Sequence, residues 1–130
     1  MSLVVLDASA AVEMALLTTD GARLAGHLPR GSAAYVPEPF YVETAAALRR
    51  MELTGAIGSD RALHAVRRVL ALRTHRAQVR PLVTEAWTLR HNLTVADAVY
   101  VVLARRLGAV LVTADQRVAG APKLGIQIIN

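Results

Sequence analysis

Two short apolar runs, each closed by an aspartate, constrain this chain more than any other feature. Leu3-Val4-Val5-Leu6 leads into Asp7, and Ala109-Val110-Leu111-Val112-Thr113-Ala114 leads into Asp115. Short apolar runs rich in β-branched residues read as buried strands. In a parallel α/β sheet, residues just past the carboxyl ends of strands face the crevice where ligands bind. Two acids 108 positions apart can therefore meet in space.

The chain between them supplies the alternation such a sheet needs. Ala8 to Leu17 is rich in helix formers, Asp20-Gly21 reads as a break, and Ala22 to Leu28 as a second short helix. A small strand over Ala33–Val36 precedes a long helix from about Phe40 to Leu53, which Thr54-Gly55 stops. Phe40, Thr44, Ala47, Leu48 and Met51 form its inward stripe, with Glu43 on the border. Gly58-Ser59-Asp60 caps the next helix, Arg61 to about Thr74, which is expected to turn Leu63, Val66, Leu70 and Val69 inward and to leave Arg61, His64, Arg67, Arg68 and Arg73 on the solvated face. A weak strand is expected over Ala77–Leu82, then a helix capped by Thr84 that buries Trp87. Thr94 opens a helix running to Leu107 and ended by Gly108; a turn over Gln116–Ala119 and a last strand over Gly125–Ile129 close the chain. The class is α/β with a mainly parallel sheet of four or five strands, in one domain over residues 1–130.

Composition narrows what such a fold can do. At 130 residues and 54% apolar the chain can build a core, and no run reaches the roughly 18 apolar residues a membrane span needs. A signal peptide is not expected, because the first apolar segment is broken at Asp7 and lacks a basic leader. The expected compartment is the cytoplasm. There are no cysteines, which excludes thiolate metal sites. The net charge of +5 comes from fourteen arginines and one lysine, and guanidinium forks suit phosphate. Coding bias would write the same excess, so charge leaves both readings open.

Four of the ten acidic residues stand in unusual places: Asp7, Glu43, Asp97 and Asp115. Each has an ordinary alternative. Asp7 and Asp115 could be helix N-caps, Glu43 a half-exposed helix residue, and Asp97 the third place of a capping box opened by Thr94. Asp97, however, shares a helix face with Tyr100, Val101 and Ala104, where a carboxylate is costly unless a cation satisfies it. No Lys or Arg is obviously placed to do so, and a divalent ion would. Clustered carboxylates repel and take up protons unless they hold metal, and oxygen ligands suit Mg²⁺ or Mn²⁺. His27, His64, His75 and His91 lie scattered at polar positions without i, i+4 pairing, so they read as surface. The chain contains no P-loop, dinucleotide fingerprint or nucleophile elbow.

These residues resemble a PIN domain, and specifically the VapC-type ribonuclease toxin of a bacterial toxin–antitoxin pair. The likeness lies in Val4-Val5-Leu6-Asp7-Ala8-Ser9-Ala10, in Pro39 through Glu43 to Arg49, in Leu93 through Asp97 to Tyr100, and in Leu111-Val112-Thr113-Ala114-Asp115. It covers essentially the whole chain. It implies a three-layer α/β/α fold and an acidic quartet, Asp7, Glu43, Asp97 and Asp115, binding one or two Mg²⁺ or Mn²⁺ ions, with Thr113 and Ser9 in support. It also implies endonucleolytic cleavage of RNA by a metal-activated water, arginines such as Arg49, Arg50 and Arg117 on the RNA backbone, a homodimer, and a VapB-type antitoxin over the cleft. Two departures stand out: Arg117 occupies a place where many relatives carry an acid or amide, and Ala96 one where an aromatic residue often precedes the aspartate. The rival readings are a PIN fold that only binds RNA or protein, and an aspartyl-phosphate phosphotransfer domain centred on Asp7. The second lacks an acid beside Asp7 and a well-placed late lysine.

Overall fold

A computed structural model describes residues 3–130. The chain folds as β1 (Val4–Leu6), α1 (Ala8–Ala15), α2 (Thr19–Ala25), β2 (Ala34–Pro37), α3 (Phe40–Leu53), α4 (Ser59–Ala71) and β3 (Thr74–Ala77). It continues through a 3-10 turn (Arg80–Leu82) to α5 (Val83–Trp87), α6 (Val95–Leu107), β4 (Val110–Val112), α7 (Gln116–Ala119) and β5 (Ile128–Ile129). The five strands form one sheet in the order β3-β2-β1-β4-β5, and every pairing is parallel. With helices on both faces this is the three-layer α/β/α arrangement. Because β1 has β2 on one side and β4 on the other, the winding reverses between β1 and β4, where open α/β sheets place their ligand crevice.

The core lies around the two central strands. Val5, Leu6, Leu111 and Val112 are fully buried, and α6 presses Val101, Val102 and Ala104 against them. The all-apolar strands follow from burial on both faces of a parallel sheet. Gly108, at φ +60°, ends α6 in a left-handed conformation that favours glycine.

Several local expectations give way to packing. The second helix begins at Thr19, because the Thr18 hydroxyl caps it by accepting from Gly21 N at 2.9 Å. Gly21 is therefore a helix residue. A Cβ there would lie 2.2 Å from the Glu13 carbonyl oxygen, so glycine is what lets α2 rest on α1. In α4 the inward face is Ala62, Ala65 and Val69, and Leu63 and Leu70 are exposed. Small residues let α4 approach α1 closely. Arg61 and Arg68, expected on the solvated face, donate instead to the Leu16 and Ala15 carbonyls at the end of α1.

The third strand is Thr74–Ala77, whose polar residues suit a sheet edge, while the expected strand over Ala77–Leu82 breaks into the 3-10 turn at Pro81. Trp87 is 57% exposed; Leu82 and Ala86 take the core side of this segment, and Thr84 makes no cap. Among the described residues no helix is long and apolar enough to cross a membrane.

Candidate functional site

Register alone brings the first pair of groups together. Val4, Val5 and Leu6 pair with Val110, Leu111 and Val112, so the next residues, Asp7 and Thr113, leave the sheet side by side. The Thr113 hydroxyl, fully buried, donates to Asp7 Oδ2 at 2.6 Å. Ser9, in the first turn of α1, donates to the same oxygen at 2.9 Å. Both hydroxyls are themselves held: Ser9 Oγ accepts from Ala114 N at 3.0 Å, and Thr113 Oγ1 accepts from Asp115 N at 3.0 Å. Asp7 starts α1 without a side-chain capping bond, so its carboxylate is not spent on the ordinary task of an aspartate at that position.

Two of the other acids arrive by the same logic of parallel β–α units, in which a helix begins at the edge where its strand ends, while Asp97 comes from α6, which follows α5. Glu43 lies in the first turn of α3, Asp97 in the first turn of α6, and Asp115 at the start of α7. Helix N-termini carry partial positive charge and ease the gathering of carboxylates. Asp7, Glu43, Asp97 and Asp115 line one cavity of about 270 Å³, floored by Ala8, Ala46 and Ala47 and flanked by Arg50.

Electrostatics divide the four. Burial pushes the Asp7 carboxyl above the usual range, against the lowering effect of the Thr113 and Ser9 hydroxyls, and nearby Asp97 adds to the rise. Glu43 is also raised, first by burial, although Tyr100 donates to its Oε1 at 3.0 Å and lowers it in part. The Tyr100 hydroxyl is strongly raised by burial and by the acids around it, so it remains a donor. Asp115 is lowered because Arg117 holds it: the guanidinium reaches Oδ2 at 2.7 Å and Oδ1 at 3.2 Å, and the Arg117 backbone N donates to Oδ1 at 2.8 Å. The same guanidinium stands 3.9 Å from Asp97 Oδ2.

Arg117 is thus the cation near Asp97 that no sequence pattern placed. The donor set is oxygen only, the chemistry that hard divalent cations select. As the side chains stand, no group of three among the described His, Asp or Glu residues is gathered tightly enough to hold an ion, and Arg117 is paired with Asp115 and stands near Asp97. The set fits such an ion in chemistry, with Arg117 as its stand-in.

The remaining expected residues separate. Arg50 borders the acids, whereas Arg49 lines a different groove between α3 and α4. His91 lies beside Asp97 and Arg117 in a neighbouring groove. Sequence reasoning missed Tyr100 as the partner of Glu43, treating it as an apolar neighbour of Asp97; only the packing of α3 near α6 reveals the bond.

Known proteins are similar to this chain in sequence and fold. A PIN-domain family model matches residues 4–124. Ribonuclease VapC12 of Mycobacterium tuberculosis is 41% identical over 117 residues, covering 90% of each chain. Ribonuclease VapC3 of the same species is 36% identical over 121 residues, or 91% of this chain and 86% of that one. The crystal structure of Mycobacterium tuberculosis VapC20, a sarcin-ricin loop cleaving toxin, has the same fold: TM-score 0.64, 21% identity, 91% of this chain and 95% of the other. The chain belongs to the PIN-domain family and, within it, to the VapC ribonucleases.

Proposed function

We infer that this chain, as a single domain, is a metal-dependent endoribonuclease and the toxin of a VapBC-type pair. The observation that carries the reading is the convergence of Asp7, Glu43, Asp97 and Asp115 on one cavity, in a chain so similar to named ribonucleases over nearly its whole length. Mg²⁺, with Mn²⁺ as a substitute, fits the all-oxygen donor set.

Asp7, Asp97 and Asp115 would hold the ion, with Glu43 completing the set or bonding its water. A divalent cation bound there supplies the charge that acidifies an attacking water and offsets charge on the scissile phosphate. Thr113 and Ser9 fix Asp7 by occupying Oδ2, so one carboxylate is oriented before any ligand arrives. Tyr100 holds Glu43, whose raised pKa suits it to accept a proton from the attacking water. Arg117, displaced from Asp115, is free to meet an RNA phosphate, and Arg50 stands on the other flank. In-line attack leaves a 5′-phosphate and a 3′-hydroxyl.

Partners follow from the same reading. Leu53, Leu63 and Leu70 are exposed on α3 and α4, beside a groove of about 360 Å³ between these helices. Such a surface suits an amphipathic segment of a VapB-type antitoxin or a second copy in a homodimer. A cytoplasmic location accords with this role.

One observation favours the rival, a PIN fold that only binds: Arg117 neutralises two of the four acids. The test is incubation of the antitoxin-free chain with structured RNA and Mg²⁺ or Mn²⁺, with EDTA, and as Asp7→Asn. Metal-dependent cutting lost in EDTA and in the variant supports the nuclease; binding of RNA without cutting under every condition selects the rival.

A further inference from the structure

The sole tryptophan is where a core residue was expected, yet more than half of it faces solvent. The Arg90 guanidinium lies over its ring at 4.8 Å from the centroid, and Arg90 Nη1 also donates to the Trp87 carbonyl at 3.0 Å. This pair is therefore held in place from two directions, by cation–π attraction and by a backbone hydrogen bond. Arg90 is at the same time a wall of a groove of about 320 Å³ that also presents His91, Asn92, Thr94, Asp97 and Arg117. Asp97 lines both this groove and the acid cavity, so the two adjoin at its carboxylate.

A strand of nucleic acid crossing the acids needs cations where its flanking phosphates lie and an aromatic face where its bases splay out. The groove offers Arg90 and Arg117 for the first, with His91 as a further N–H donor, and Arg90, one of its walls, stacks on the exposed Trp87 ring beside it for the second. Its one acid, Asp97, lies at the end shared with the cavity. A single-stranded polyanion is attracted along this wall, where Arg90 and Arg117 would repel a basic peptide.

We propose that the 87–94 segment is a substrate subsite, in which Arg90 and His91 hold a phosphate next to the scissile one and the Trp87–Arg90 stack receives an unpaired RNA base. The proposal rests on the nuclease reading and names the substrate form for it: single-stranded RNA on the α5–α6 side of the acids. Arg90, His91 and Trp87 act by positioning and do not touch the reacting atoms.

Because Trp87 is the only tryptophan, its emission reports on the subsite directly. The full chain, free of antitoxin and in EDTA to prevent cutting, is titrated with a short single-stranded oligoribonucleotide, and binding is followed in parallel by anisotropy of labelled RNA. Expected are saturable quenching, a roughly tenfold loss of affinity in Arg90→Ala and in Trp87→Ala, and recovery to within about twofold in Trp87→Phe. Arg90→Ala should also flatten the salt dependence by about one phosphate contact, whereas Arg67→Ala on α4 leaves binding unchanged. Unaltered affinity in both Arg90→Ala and Trp87→Ala overturns the proposal. So does an emission change that follows protein concentration without RNA, which assigns the face to a second copy. Cleavage assays separate the two levels: metal-dependent cutting with an unchanged KM in Arg90→Ala sinks the subsite alone. A wild type that binds RNA in EDTA and never cuts sinks the nuclease and leaves the subsite standing.

Discussion

The two halves of the acid cavity are built in opposite ways. Around Asp7 the polar groups are buried or half-buried and tied to one another: two hydroxyls donate to one carboxylate oxygen and are fixed in turn by the backbone of Ala114 and Asp115. Around Asp97 and Asp115 the holding group is Arg117, a side chain 75% exposed and therefore weakly bound. The first half is positioned by sheet register and cannot move without disturbing β1 and β4. The second is an exchangeable ion pair. Under the proposed nuclease reading, such a site would keep one carboxylate rigid and leave the other two to be recruited when a cation and the substrate arrive.

The largest effect should come from the rigid half. Asp7→Asn keeps both hydroxyl bonds, because an amide oxygen accepts from Thr113 and Ser9, but it removes the charge. RNA cleavage is expected to fall at least 100-fold, beyond the 10–100-fold typical of outer-shell changes. The same substitution should raise the melting temperature of the metal-free protein by a few degrees, since it relieves a buried charge. Loss of activity together with a lowered melting temperature would mean that Asp7 serves the fold, and the contrast between the halves would fail.

Thr113→Val comes next. It deprives a buried carboxylate of its 2.6 Å donor and the Asp115 backbone N of its acceptor. Hydrogen bonds to charged groups are worth about 1.5–3 kcal/mol, so denaturant unfolding should show a loss of that order. Cleavage should drop about 10–100-fold as the orientation of Asp7 slackens. Retention of full activity would show that the register-built network is not needed for chemistry.

What the sequence disclosed follows the same division. The strand-plus-aspartate pattern at Asp7 and Asp115 is local, and a parallel sheet converts it into proximity without further information. Asp97 was legible from helical periodicity, as was the inward stripe of α3. Contacts between elements distant in sequence were not. Tyr100 donating to Glu43 depends on how α6 and α3 are placed, and the choice of Ala62 and Ala65 over the larger Leu63 and Leu70 depends on how closely α4 packs on α1 and α3. Trp87 misled because size and apolarity suggest burial, whereas its segment buries only Leu82 and Ala86. Arg117 misled for a different reason. Compared with relatives it reads as a missing ligand, and only the distances show it serving two acids at once.

The pH dependence of stability also separates the halves. Asp7 and Glu43 have pKa values raised by burial, so the folded chain holds their protons more tightly than the unfolded chain does. In EDTA, stability should therefore rise as pH falls from neutral through their raised values toward the ordinary carboxylate range. Asp115 has the opposite sign: its value is lowered by Arg117, so the stability it contributes is lost as pH falls through that lowered value. A melting-temperature maximum in mildly acidic solution is expected, a few degrees above that at pH 7.5. Saturating Mg²⁺ should shift the maximum toward neutral pH, because the ion binds only deprotonated carboxylates. A metal-free protein that loses stability steadily from pH 7.5 downward would contradict the assignment of strain to Asp7 and Glu43.

The smallest effect tests the exchangeable half. If Arg117 is a stand-in for the ion, every ion bound must first displace it from Asp115 and Asp97, and its removal should tighten binding. Exposure keeps the pair weak, so the gain in Arg117→Ala is expected to be only about two- to fivefold in the dissociation constant for Mn²⁺, read by calorimetry or by the resonance signal of free Mn²⁺. RNA affinity in EDTA should move the other way, falling a few-fold as a phosphate contact disappears. The opposed signs are the informative part. A residue that merely caps α7 would change neither measurement, and a residue that positions Asp115 for the metal would weaken both. Tighter metal with weaker RNA is the signature of one guanidinium serving two anionic partners in turn.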